Sequence, residues 1–175
     1  AAGAGPPVPS QHALIFPRTV ATRGEMVDQV AQVRIYREWN VPPGRDVDSP
    51  LLSLAATVLG EGKTSRLYQR LVYKDKLADD IGVEVDHQAL AGLFELQVDV
   101  KKGIDPANVE SAVADEWAKF LKDGPTQEEI DRARVSRHAA LIRSVERVSS
   151  QARILAEGQV YHGDPGFYKV TRVRM

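Results

Sequence analysis

The sequence predicts an α+β fold in which an antiparallel sheet carries helices packed mainly on one face. Three observations lead there. Residues alternate with period two in three short runs, and each run keeps one polar face. The last two runs are joined by "HQALAG", too short for the helical crossover that parallel strands require. Apolar residues at helical spacing fill the stretches around those runs. With 175 residues, 43% of them hydrophobic and 27% charged, the chain has the size and composition of one globular domain.

The opening "AAGAGPPVPS" is rich in small residues and proline. Residues 1–11 are assigned to a linker and 12–175 to a single α+β domain. In "QVRIYREW", Val33, Ile35, Arg37 and Trp39 alternate with Gln32, Arg34, Tyr36 and Glu38 as in a strand, which Pro42-Pro43-Gly44 stops. Ser49-Pro50 then supplies a helix N-cap and a first-turn proline, followed by Leu51, Leu54, Ala55, Val58 and Leu59 on one face, with a stop at Gly60. After a short glycine-containing joint, "KTSRLYQRLVYKDKL" places Leu67, Leu71 and Lys74 on one helical stripe, with Tyr68 and Val72 beside it. Asp79-Asp80 reads as the turn into the next strand.

Two strands follow, with Ile81, Val83 and Val85 on one face of the first, and Phe94, Leu96, Val98 and Val100 on one face of the second. Asp105-Pro106 starts a helix whose Val109, Val113, Trp117, Phe120 and Leu121 form one stripe, closed by Gly124-Pro125. Thr126 and Glu129 make a capping box for a long helix carrying Ile130, Ala133, Leu141 and Val145. Past Ser149-Ser150 a last helical segment holds Ile154 and Leu155, until "HGDPGFY" breaks the pattern.

The same residues argue against several functions. A formal net charge of −1, from 23 basic and 24 acidic side chains, offers no general attraction to nucleic acid or to an acidic membrane surface. There is no cysteine, which removes disulfides, thiolate metal sites and cysteine nucleophiles. No apolar run approaches the roughly 20 residues of a membrane span. Gly62-Lys63-Thr64 matches the end of a phosphate-binding loop, but the position that needs glycine holds Thr57, and helical spacing precedes it where a buried strand is required. Nucleotide binding is not expected. His12, His87, His138 and His162 stand apart without H-E-x-x-H or H-x-x-E-H, so no metal ligand or catalytic residue is predicted here. His87 ends a strand and His138 lies in mid-helix; both read as exposed or hydrogen-bonded.

The stretch "LGEGKTSRLYQRLVYKDKLADDIG" resembles the pattern L-G-G-G-x-S-S-R-L-[FY]-x-x-L-R-E-x-x-x-L-A-Y of the pitrilysin/insulinase family of zinc metallopeptidases, the inverzincins. Leu59, Gly60, Gly62, Ser65, Arg66, Leu67, Tyr68, Leu71, Leu77 and Ala78 fall in register. "LKDGPTQEEIDRAR" resembles a second family motif, G-x-[ST]-x-x-E-[LI]-x-x-A-[RK], and the likeness runs from about Val30 to Tyr161. In that family two homologous α+β halves enclose a chamber, one bearing zinc on H-x-x-E-H and the other usually inactive. This chain is similar to the inactive half, as in mitochondrial processing peptidase. The resemblance therefore implies no cofactor here, zinc in a homologous partner or upstream half, and peptide substrates docked by Gly60, Gly62, Lys63, Ser65 and Arg66. Many members add an arginine and a tyrosine that position the substrate carbonyl; Val72 and Asp79 stand there, and Tyr73 is the nearby replacement. A periplasmic location is a family-level expectation, as is continuation of the domain past "YKVTRVRM". The alternative implied by the same superfamily is an inert structural domain like the core proteins of respiratory complexes.

Overall fold

The computed structural model describes residues 18–169. The predicted linker, His12 and the final "VTRVRM" lie outside the described residues. Strand β1 (Arg34–Val41), helix α1 (Ser49–Gly60) and a π-helix (Tyr68–Lys74) come first. Strands β2 (Ala78–His87) and β3 (Gly92–Val100) follow, then helices α2 (Pro106–Asp123), α3 (Gln127–Val145) and α4 (Val148–His162). The strands form one antiparallel sheet in the order β1-β3-β2, so β3 is central.

Alternation decides which face is buried. Ile35, Trp39 and Val41, Ile81 and Val83, and Phe94, Leu96, Val98 and Val100 turn to one side, where Leu59, Leu67, Leu71, Val109 and Val113 complete the core. Leu67, Leu71, Leu96, Val98 and Val109 are wholly buried, each contributing on the order of 1.5–3 kcal/mol of transfer free energy. Trp39 and Trp117 stack with centroids 4.6 Å apart, and Phe94 meets each edge-on, which locks β1 to α2.

Among the described residues, the other face of the sheet carries mainly polar side chains that are exposed or half-exposed. In one row across it Glu38, Glu95 and Glu84 stand directly opposite one another. Arg34, Asp99 and Asp80 form another row, with Arg34 bound bidentately to Asp99. Burial and the neighbouring Glu38 and Glu84 push the Glu95 carboxyl up.

Capping follows the sequence at α2 and α3. The Asp105 side chain accepts from the Ala107 N–H, Gly124 closes α2 at φ 69°, and Thr126 with Glu129 forms the full capping box. Five expectations need correction. The N-cap of α1 is Asp48, and the Ser49 hydroxyl turns instead to His87. Leu51 is 63% exposed because α1 buries Ser53, Ala56 and Thr57 in its place. Leu121 is 70% exposed at the rim of the α2 stripe. The second helix is wound as a π-helix for most of its length, with i→i+5 closure from the Asp75 N–H to the Arg70 carbonyl, and Lys74 points outward. Asp79 and Asp80 belong to β2 itself, at a register shift next to Ala78.

Candidate functional site

The turn between α1 and the π-helix is shaped by two glycines with different duties. A Cβ on Gly60 would lie 2.3 Å from Val83 Cγ2 and 2.8 Å from the Val83 backbone nitrogen, so only glycine lets α1 rest this closely on β2. Gly62 has φ +77° and nothing within 4 Å of a Cβ, so its role is to reverse the chain. The Gly62 carbonyl then accepts from both the N–H and the hydroxyl of Ser65, at 3.2 and 2.7 Å. Ser65 is 3% exposed. Gln69 Nε2 donates to the Lys63 carbonyl at 2.6 Å, which ties down the far side of the turn.

Arg66, next to Ser65, reaches from the turn to the α2–α3 junction. Its Nε and Nη2 each donate to one oxygen of Glu129 at 2.7 Å, Nη2 also reaches the Gly124 carbonyl at 2.9 Å, and the guanidinium lies 5.4 Å from the Phe120 ring centroid. Both side chains are about 15% exposed. The Arg66 guanidinium, helped by Thr126, pulls the Glu129 carboxyl down to about 2. One carboxylate thus caps α3 and fastens the turn to the α2–α3 junction.

Of the six residues predicted to dock substrate, Gly60 and Ser65 are buried in packing and Arg66 is held by Glu129. Gly62 and Lys63 are exposed in the turn, and Tyr73 is 70% exposed on the π-helix. Val72 is half-buried against the core, while Asp79 is exposed. Beside the turn runs an open cleft of about 350 Å³ where Arg66, Arg70, Lys74 and Lys119 alternate with Glu116 and Glu129. Arg70 is paired with Asp75, and Lys119 lies 3.7 Å from Glu116. The sequence reading missed this cleft and the Arg66–Glu129 pair, since partners 63 residues apart leave no local spacing to detect. Among the described residues no three histidine, aspartate or glutamate side chains are grouped to hold a metal ion, so those residues do not fit zinc.

Comparison with curated proteins returns no match. Among solved structures, a protease from Helicobacter pylori superimposes with a TM-score of 0.75 at 22% identity, covering 85% of this chain and 36% of that one. The chain thus spans about a third of that protein's length. A presumed zinc protease from Bordetella pertussis Tohama I gives a TM-score of 0.71 at 25% identity over 85% of this chain and 81% of that one. A chain of complex III2 from Candida albicans has the same fold at 13% identity and a TM-score of 0.71, over 85% of this chain and 37% of that one. The family model described as the peptidase M16 inactive domain matches residues 4–136, most of the chain and the whole of the turn, cleft and sheet described above, and the chain belongs to that family.

Proposed function

We propose that this chain is the non-catalytic half of a zinc-dependent metalloendopeptidase, helping to enclose and dock peptide substrates opposite a homologous half that carries H-x-x-E-H and zinc. The observation that carries this reading is the division of labour around the turn. Gly60, Ser65 and Arg66 spend their contacts on the fold, and so leave Gly62 and Lys63 out in solvent, while Tyr73 is exposed on the π-helix that follows. Exposed backbone and a cation on a braced turn, with a phenol exposed on the π-helix that follows, suit the carbonyls of an extended peptide. In this reading the part played by the chain is binding and orientation. A periplasmic site of action belongs to the same reading, and fractionation of cells expressing the tagged parent protein tests it.

The test is peptide cleavage by this chain, by the zinc-bearing half, and by the two mixed, with zinc measured in each. Activity only on mixing, reduced in Lys63→Ala and Tyr73→Ala, supports docking. The shared fold with the complex III2 chain favours a second reading, an inert assembly domain. A mixture that forms a complex, binds no zinc and cuts nothing would replace docking with assembly.

A further inference from the structure

Along α1, every fourth residue is polar: Ser49, Ser53 and Thr57 form one line on the face that packs toward β2 and α3, and the exposed C-cap Glu61 extends it. The first two converge on His87, the last residue of β2. Ser49 Oγ lies 2.8 Å from Nδ1 and Ser53 Oγ lies 2.7 Å from Nε2, so both ring nitrogens are engaged. The two serines are 3% and 8% exposed, whereas the histidine keeps an edge in solvent through which a proton can arrive. Arg137 of α3 reaches the same place, with Nη1 3.4 Å from the Ser53 carbonyl. The loop after β1 packs against the base of the histidine. Its Gly44 donates to the Gln88 carbonyl at 3.1 Å, and a Cβ there would be 3.0 Å from His87 Cβ. The charged groups that act on the ring are Arg137 from α3 and, from the opposite face of β2, its chain neighbour Asp86, while α1 presents only the two hydroxyls. Glu61, at the other end of the line, acts on Arg137.

We propose that His87 is a proton-operated clasp, fastening the N-terminal end of α1 to the sheet and to α3 when neutral and loosening that junction when protonated. A neutral imidazole has one N–H and one lone pair, so one serine accepts from the ring and the other donates to it. Protonation turns both nitrogens into donors. The serine that donated, itself buried, then faces an N–H and must swing its hydrogen away, and the new imidazolium stands against the Arg137 guanidinium. Burial first, and Arg137 second, hold the His87 imidazole below its ordinary 6.5, with Asp86 opposing. Because the folded-state value is depressed, the clasp contributes fully above pH 6.5 and its contribution is lost as pH falls through the folded-state value. The Gly60–Gly62 turn sits at the far end of the same helix, so loosening acts on the element that carries it. This inference is independent of what the turn binds.

Hydrogen exchange of the 175-residue chain, corrected for intrinsic rates, is compared at pH 7.5 and 5.5 for the wild type, His87→Gln and Arg137→Gln, alongside a histidine-resolved NMR titration. Protection of residues 49–57 should fall several-fold in the wild type at the lower pH and stay level in His87→Gln. In Arg137→Gln the His87 midpoint should move up and the acid loss should shrink. Equal acid loss in wild type and His87→Gln would overturn the clasp. If His87→Gln does not fold, Arg137→Gln decides, and an unmoved His87 midpoint there overturns it.

Discussion

Replacing Arg66 with alanine removes three donated hydrogen bonds and the cation over Phe120, and leaves Glu129 mostly buried without its counter-charge. The size of the loss can be worked from the carboxyl. A fall from the ordinary 4.5 to about 2 corresponds to about 3 kcal/mol at roughly 1.36 kcal/mol per pKa unit, part of it supplied by Thr126. Truncating one partner of a buried pair costs about 3–5 kcal/mol, and this pair retains some solvent, so about 2–3 kcal/mol is expected. For a domain of this size that lowers Tm by roughly 4–12 °C. Urea unfolding should show a lower midpoint with an unchanged slope. The pH dependence gives a second reading. Because the folded Glu129 value is depressed, its stabilisation is present above about pH 4.5 and is lost as pH falls toward about 2. Arg66→Ala should flatten that acid limb. A variant with wild-type Tm and an unaltered acid limb would refute the assignment of Arg66 to the fold and return it to the list of free docking cations.

Three further outcomes follow from the packing. Gly60→Ala should lose about 1–3 kcal/mol, since the added methyl meets Val83 side chain and backbone; a neutral urea midpoint would mean that α1 and β2 are less closely apposed. Leu71→Ala, in a wholly buried position of the π-helix, should cost about 2–5 kcal/mol by the same measurement. Lys76→Gly should stabilise the chain by on the order of 1 kcal/mol, because Lys76 holds φ 54°; a lowered Tm would show that its side chain contributes more than the backbone conformation costs.

The strands were legible because period two survives translation into a sheet with one covered face. Ile35 to Val41, Ile81 to Val85 and Phe94 to Val100 turn inward as their alternation requires. The caps of α2 and α3 were legible for a similar reason, since Asp105-Pro106 and Thr126 with Glu129 act within one turn of chain. The winding of the π-helix was not, because Leu67 and Leu71 serve a buried stripe under either winding. Nor was the face of α1, where hydroxyls bonded to His87 displaced Leu51 from the interior. At the candidate site the glycines could be read, but not which of them packs and which turns. That distinction depends on Val83, 23 positions away, just as the role of Arg66 depends on Glu129.

The polar side of the sheet has a bearing on how the molecule behaves in company. Glu38, Asp80, Glu84, Asp86, Glu95 and Asp99 stand there with Arg34 as their one cation among the described residues of that face, although the chain as a whole is nearly neutral. Two copies meeting face to face bring like charge against like, which discourages the sheet-on-sheet stacking that an uncovered antiparallel face otherwise invites. That protection works through space and weakens as ions crowd in, the screening length falling from about 10 Å at 0.1 M salt to about 3 Å at 1 M. Concentrated brine is therefore the condition in which this protein should first turn cloudy.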